Sequence, residues 1–169
     1  MPYLYHRVPR NMQGTELYPL NSLREVDRSL YDEHVKKYLG REHLLLETIP
    51  VLGNCLWGDV IFLTAVHPTE FVKAYESTGH SLPREDRAYQ FDSALLDQER
   101  LAVLKMQGPS DQYESFDPSR YDEYTCIPEE TLRYWKEMEE PRLFAYIPHI
   151  LYRGTLNTLT VSIVKPSRA

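Results

Sequence analysis

The stretch "GDVIFLTAVHPTEFVKAYESTG", residues 58–79, carries a strand signal followed at once by a helix signal. Residues 58–66 are apolar and rich in β-branched side chains, a composition typical of a buried strand. Pro68 suits the first turn of a helix, and Gly79 suits the position just after a helix ends. The stretch therefore predicts a buried strand that leads directly into a helix.

The region before this stretch predicts helices. Residues 22–39 place apolar side chains at helical spacing. Ser22 and Glu25 form the pattern of a capping box, in which each side chain accepts from a free backbone N–H at the helix start. A second short helix is predicted over 41–49, because Pro50 ends it.

The first residues and the second half of the chain predict mostly short strands. Apolar or alternating runs mark these strands at 3–8, 88–92, 123–127, 142–147, 149–154 and 157–164. Residues 128–138 predict a short helix with acidic residues in its first turn. Residues 95–106 fit either a helix or a strand, and Gly, Pro, Ser and Asp predict a loop over 107–120.

These elements together predict an α+β fold. We expect a single domain over residues 1–169, with a split mixed or antiparallel sheet and with helices concentrated in the N-terminal half. Hydrophobic residues make up 42% of the chain and charged residues 26%, which is the composition of an ordinary globular protein. Cys55 and Cys126 do not make a disulfide framework, so both are expected to be reduced.

The sequence also predicts where the protein resides. No run of 18 apolar residues is present, so no membrane-spanning helix is expected. The N-terminus lacks the basic and then apolar layout of a signal peptide. We therefore expect a cytoplasmic protein without a membrane partner.

Several kinds of chemistry have no support in the sequence. None of the six histidines belongs to an H-E-x-x-H motif, and no C-x-x-C is present, so no metal is expected. The phosphate-binding motifs G-x-x-x-x-G-K-[ST] and G-x-G-x-x-G are both absent. The G-x-S-x-G motif is absent too, so serine-hydrolase chemistry has no support. The net charge of −6 disfavours a large footprint on a nucleic-acid backbone.

Three segments remain that carry a combined pattern: "LYHRV" at 4–8, the strand and helix "WGDVIFLTAVHPTEFVKAY" at 57–75, and "SRYDEYTCIP" at 119–128. In this order they resemble the ADP-ribosyltransferase superfamily, in its His–aromatic–Glu branch. This branch includes the diphtheria-toxin-like and poly-ADP-ribose-polymerase-like enzymes and the toxins that modify nucleic acid. In that family a first strand ends in a His, a middle strand and helix carry a Tyr, and a late strand begins with a Glu.

The resemblance implies a site residue by residue, with NAD as a substrate. Glu123 would be the catalytic carboxylate, because a carboxylate stabilises the oxocarbenium-like centre formed when the nicotinamide–ribose bond breaks. His6 would bind a ribose hydroxyl, and Arg7 or Arg10 would hold the diphosphate with its forked donors. Phe62 or Tyr75 would stack on the nicotinamide ring.

Two positions depart from the family pattern. Arg7 stands where many members have Gly, and Phe62 stands where the family has Tyr. These departures favour an alternative, a non-catalytic binding or interaction domain on the same scaffold. A further alternative is an NAD-using enzyme that removes a 2′-phosphate from RNA.

The first hypothesis is a mono-ADP-ribosyltransferase-like protein that moves ADP-ribose from NAD to a macromolecular or small acceptor. The acceptor, a protein or a nucleic acid in the macromolecular case, is unknown. Small members of this kind are often toxins, which implies a neutralising partner protein by analogy of fold. Whether His6 and Glu123 face one pocket distinguishes the enzyme from the binding domain.

Overall fold

Two antiparallel sheets form the centre of the fold in the computed structural model, which describes residues 2–107 and 110–168. The strands are β1 (Tyr3–Arg7), β2 (Glu16–Leu17), β3 (Thr48–Ile49), β4 (Cys55–Leu56), β5 (Val60–Leu63), β6 (Ala88–Asp92), β7 (Leu101–Gln107), β8 (Ser110–Ser115), β9 (His149–Arg153), β10 (Leu156–Asn157) and β11 (Ser162–Val164). The α-helices are α1 (Leu20–Val26), α2 (Arg28–Val35), α3 (Pro68–Ser77), α4 (Tyr121–Tyr124) and α5 (Glu129–Glu137). This content of helices and antiparallel sheets confirms the predicted α+β class.

The two sheets meet at one point, as expected of a split sheet. One has three strands in the order β1-β6-β11, and the other has four in the order β5-β9-β7-β8. Tyr5 of β1 and Thr64, just after β5, exchange two backbone hydrogen bonds of 2.8 and 3.0 Å. The end of β1 therefore lies against the end of the buried strand predicted over 58–66.

Strand β7 shows why the four-stranded sheet lies at the centre. Leu101, Ala102, Val103 and Leu104 are all buried, with at most 3% of each exposed. Because strand side chains alternate between faces, Leu101 and Val103 join one apolar cluster, and Ala102 and Leu104 join another. A continuous apolar run covered on both faces is typical of an interior strand. Of the helix and the strand that the sequence allowed over 95–106, the structure has a strand, preceded by a short 3₁₀ helix at Gln98–Arg100.

Three apolar clusters make up the core. The first contains side chains of both sheets, including Leu4, Ile61, Phe91, Val103 and Ile150. The second lies under the short helices that precede β5, and it includes Tyr38, Ile49, Leu52 and Trp57. The third joins α3 to α5 around the fully buried Trp135, and it includes Val66, Phe71, Tyr75 and Ile147.

The predicted helix over 22–39 is interrupted at Asp27. This residue has extended backbone angles, φ −148° and ψ 90°, and its carboxylate accepts a 3.1 Å hydrogen bond from the backbone N–H of Leu30. It therefore ends α1 and caps α2, as a short acidic side chain does at a helix start. The helix predicted over 41–49 is limited to a 3₁₀ helix at Glu42–Leu46.

Two strand predictions in the second half are wrong. Residues 123–127 do not form a strand, because α4 occupies Tyr121–Tyr124. The segment over 142–147 consists of turns, and its Tyr146 has a positive φ of 64°, which a strand does not allow. The loop predicted over 107–120 contains β8, and residues 108 and 109 of that prediction lie outside the described residues.

The helix at Tyr121–Tyr124 has a local cause. The Asp117 carboxylate accepts from the backbone N–H of Ser119 at 3.0 Å, and Pro118 occupies the first position of the 3₁₀ helix that follows. Both features favour a helix start. Tyr124 is fully buried against Phe116, with ring centroids 5.6 Å apart, and Ile127 packs against the third cluster, so these apolar residues of 123–127 pack against the core without forming a strand. Among the helices that the structure describes, none is long and apolar enough to cross a membrane.

Candidate functional site

A cavity of about 260 Å³ opens where the end of β1 meets β5, and its walls are mostly apolar. Side chains from six segments of the chain line it, together with Pro166: β1, β5 with the residues just after it, α3, the segment that leads into β6, the turn that contains Phe144, and the start of β9. Three phenylalanines provide much of the apolar wall, namely Phe62, Phe71 and Phe144. An apolar cleft with a few polar groups is the usual form of a small-molecule site.

His6 reaches this pocket from the end of β1. It is half-buried, and its Nδ1 lies 2.7 Å from the carbonyl oxygen of Arg7. A carbonyl only accepts, so Nδ1 carries the hydrogen and donates it, which leaves Nε2 as an acceptor. Burial lowers the pKa of His6 to about 4, so the ring is neutral at pH 7.

Phe62 is the aromatic residue of β5 that lines the pocket. Its ring packs between Trp57, at a centroid distance of 4.9 Å, and His149, at 5.9 Å. Tyr75, the second stacking candidate, is buried in the cluster between α3 and α5 and is not among the pocket-lining residues. Its ring stacks on His80 at 5.1 Å. The structure therefore brings Phe62 to the pocket together with His6, and does not bring Tyr75.

An ion pair stands at the polar side of the pocket. Arg7 Nη2 lies 2.5 Å from Asp86 Oδ2, and both residues are pocket-lining. The Arg7 side chain is 44% exposed, whereas the Asp86 side chain is only 16% exposed. Asp86 is the carboxylate among the lining residues, and sequence reasoning missed it because nothing in "PREDRAY" distinguishes it from a surface acid.

His149 was also missed, although it lines the same pocket as His6. It is the first residue of β9, and its ring contacts Phe62 and Phe144, the latter at 6.2 Å. Burial lowers its pKa to about 4, with a smaller contribution from the charge of Arg142. The sequence did contain a signal for His149, since the strand predicted over 149–154 begins with this histidine.

Glu123 lies elsewhere. It is on α4, its side chain is 54% exposed, and it is not among the residues that line the pocket. Arg120 Nη2 donates to its Oε2 at 2.7 Å, and this hydrogen bond holds the pKa of Glu123 below its ordinary value. The strand that begins at the pocket is β9, and its first residue is His149.

The described residues contain no candidate metal site and no disulfide. Within residues 2–107 and 110–168, no group of three or more His, Cys, Asp or Glu side chains could hold a metal ion. Cys55 is half-buried and Cys126 is exposed, and both are free thiols.

Comparison with known proteins adds no relative. No family model matches the chain, and neither the curated proteins nor the solved structures contain a significant match. The resemblance to the ADP-ribosyltransferases therefore stays a prediction that depends on three segments of the sequence.

Proposed function

We propose that the protein binds NAD, or a dinucleotide of the same type, with the nicotinamide ring in the apolar pocket. One observation carries this proposal. His6 and Arg7 on β1 and Phe62 on β5, assigned to one ligand from separate segments of the sequence, all line one cavity. About fifty residues separate the two strands, so local structure alone does not explain the convergence.

The size and chemistry of the cavity suit part of such a ligand. A volume of about 260 Å³ is slightly below the roughly 300–1,000 Å³ of pockets that enclose whole drug-sized ligands. It accommodates a heteroaromatic ring with some of the attached ribose. The phenylalanines offer faces and edges to the ring, and the Nε2 acceptor of His6 suits a ribose hydroxyl. The rest of the dinucleotide would extend out of the cavity past Arg7 and the exposed Arg87.

ADP-ribosyl transfer is the activity proposed for this site. In that reaction the bond between ribose C1′ and the nicotinamide nitrogen breaks, and its electron pair leaves with nicotinamide. A nucleophilic atom of the acceptor then bonds to C1′ and loses its proton. The positive charge that develops on the ribose needs a nearby carboxylate. Asp86 lines the pocket and would take this role, whereas the predicted Glu123 is not among the lining residues.

A second candidate function, binding without catalysis, is favoured by a specific observation. The only carboxylate among the described lining residues, Asp86, is already paired with Arg7. A neutralised carboxylate stabilises a developing positive charge less well than a free one. In addition, β9 begins with a neutral His149 instead of an acid.

The first experiment measures NAD binding by calorimetry for the wild type, Phe62→Leu and His43→Ala. Phe62→Leu removes the ring but keeps an apolar side chain, and we expect at least a tenfold loss of affinity. His43 is exposed and outside the pocket, so His43→Ala should bind as the wild type does. Absence of NAD binding to the wild type would overturn the proposed function.

The second experiment separates the two candidates. Nicotinamide release from NAD is measured with cell lysate as acceptor for the wild type, Asp86→Asn and Glu123→Gln. Release that disappears in Asp86→Asn and persists in Glu123→Gln supports transfer chemistry at this pocket. Release that disappears only in Glu123→Gln would support the sequence assignment instead. Binding without release in the wild type would establish the non-catalytic alternative.

A further inference from the structure

We propose that Arg87 and Lys165, here called the rim cations, bind the phosphate groups of the nucleotide in place of Arg7. This inference depends on the proposed function and names the residues that recognise the charged part of the ligand. The rim cations would make the pocket selective for a phosphate-bearing dinucleotide over the corresponding nucleoside.

Arg7 is a phosphate-binding candidate from the sequence, but its charge is already balanced. Its Nη2 lies 2.5 Å from Asp86 Oδ2, and only 16% of the Asp86 side chain is exposed. To hold a diphosphate instead, Arg7 would have to leave a largely buried carboxylate without a partner, which is costly. Arg10, the other sequence candidate, is exposed and is not among the pocket-lining residues. The phosphate groups therefore need a different cation.

Arg87 is a cation of this kind. It lines the pocket and is exposed, and its guanidinium makes no hydrogen bond or ion pair to any residue that the structure describes. Its backbone is fixed next to β1, because its carbonyl oxygen accepts a 2.9 Å hydrogen bond from the Val8 N–H. A guanidinium presents its donors in a planar fork, which matches the oxygens of a phosphate.

Lys165 lies beside Arg87 in the same sheet. Strand β11 runs antiparallel to β6, with Val164 opposite Ala88. Arg87 directly precedes β6 and Lys165 directly follows β11, so the register places these two residues at adjacent positions. Pro166 lines the pocket, and a proline favours an extended backbone at the residue before it, which continues the direction of β11 through Lys165.

The rim cations have no protein carboxylate between them. Lys165 is exposed and, like Arg87, makes no ion pair with any described residue. Asp86 is paired with Arg7, and the neighbouring Glu85 is exposed and forms no ion pair within the described part of the chain. Like charges at adjacent positions of two strands repel each other. A phosphate group at the rim would relieve this repulsion, while the apolar cavity next to it accepts the uncharged ring.

The test compares NAD with nicotinamide riboside, which has the same ring and ribose but no phosphate. Dissociation constants are measured at pH 7 for the wild type, Arg87→Gln, Lys165→Gln and the control Arg84→Gln. We expect a loss of NAD affinity of roughly tenfold in Arg87→Gln and roughly threefold in Lys165→Gln, because charge-assisted hydrogen bonds to phosphate are lost. Affinity for nicotinamide riboside should change by less than about twofold in both. Arg84 is exposed and outside the pocket, so its variant should bind both probes as the wild type does.

A double variant, Arg7→Gln with Asp86→Asn, tests the assignment against Arg7. It removes both charges of the ion pair together and leaves the net charge of the rim unchanged. The affinities for the two probes should change by similar factors, so their ratio should stay at the wild-type value. A ratio that falls in this double variant and not in Arg87→Gln would return phosphate binding to Arg7 and overturn the inference.

The ratio of the NAD and nicotinamide riboside affinities is the decisive quantity, because a purely structural role of Arg87 would weaken both probes alike. Equal binding of the two probes by the wild type would overturn the inference and leave the proposed function intact, and so would an unchanged ratio in Arg87→Gln. If NAD does not bind the wild type, the proposed function fails and the inference fails with it. Thermal unfolding shows whether each variant is folded. Arg87→Lys, which keeps the charge, should retain most of the preference for NAD, and it provides the comparison if Arg87→Gln does not fold.

Discussion

The pocket and the surface around Glu123 both contain several titratable side chains, but these side chains are buried among apolar groups in the pocket and ion-paired on the surface. In the pocket, His6 and His149 lie among phenylalanines, and burial lowers the pKa of each to about 4. On the surface, Lys105, Glu114, Arg120 and Glu123, here called the Glu123 cluster, form ion pairs of 2.7 to 3.9 Å with one another.

This difference separates a ligand site from a structural ion-pair network. In the Glu123 cluster each charge is balanced by a neighbour and is partly hydrated, so little binding capacity remains for a ligand. In the pocket, desolvated polar atoms face an apolar cavity, an arrangement found more often at functional sites than elsewhere. Strongly perturbed histidines therefore mark the candidate site better than the count of nearby charges does.

The largest expected effect is loss of stability in acid. The folded-state pKa of His6 and of His149, about 4, is below the unfolded value of about 6.5, so the unfolded chain binds more protons between these values. Stability is therefore highest above pH 6.5, is lost as the pH falls from 6.5 to about 4, and changes no further from these groups below that. By pH 4.5 each histidine should have cost about 2–3 kcal/mol of unfolding free energy.

Urea unfolding at pH 7 and at pH 4.5 checks this prediction on the wild type, His6→Gln and His149→Gln. Each pocket variant should lose less stability between the two pH values than the wild type loses. The exposed His43→Gln serves as the matched control and should follow the wild type. A pocket variant with the same pH dependence as the wild type would remove the contrast between pocket and surface.

An intermediate effect is expected at Arg168, which ties the C-terminal segment to the pocket wall. Its guanidinium donates to Glu76 Oε1 at 2.6 Å and to the carbonyl oxygens of Leu82 and Pro83 at 3.2 and 3.0 Å. Pro166, two residues earlier, lines the pocket. Arg168→Ala should cost about 1–2 kcal/mol of stability, because charge-assisted hydrogen bonds are lost, and should weaken NAD binding.

Denaturant unfolding and NAD titration measure these two consequences. Arg133→Ala is the control, since Arg133 is exposed on α5 and outside the pocket. If Arg168→Ala binds NAD with unchanged affinity, the C-terminal segment is not part of the binding site.

The sequence predicts local structure where a signal is local. The run at 58–66 and Pro68 correctly placed β5 and α3, because burial and the helix start depend on nearby residues. The strand predicted at 123–127 is wrong because Tyr124 is buried as part of the short helix α4.

Which strand ends meet is a different kind of information. The contact between Tyr5 and Thr64 joins residues 59 positions apart, and it brings His6 near Phe62. The periodicity of apolar residues along the sequence does not predict such a long-range contact. For the same reason the sequence singled out neither Asp86 nor His149 as a pocket residue.

The smallest effect is expected for Glu123→Gln. The Glu123 side chain is 54% exposed, and Arg120 keeps a second ion pair with Glu114 at 3.2 Å after the substitution. Solvent and salt screen such pairs, so the unfolding midpoint and the NAD affinity should both stay at the wild-type values. Asp86→Asn is the matched comparison, because it also neutralises one carboxylate, but at the pocket, and it should change NAD affinity. If Glu123→Gln changes NAD affinity and Asp86→Asn does not, ligand binding depends on the Glu123 cluster, and the assignment of the site to the pocket is wrong.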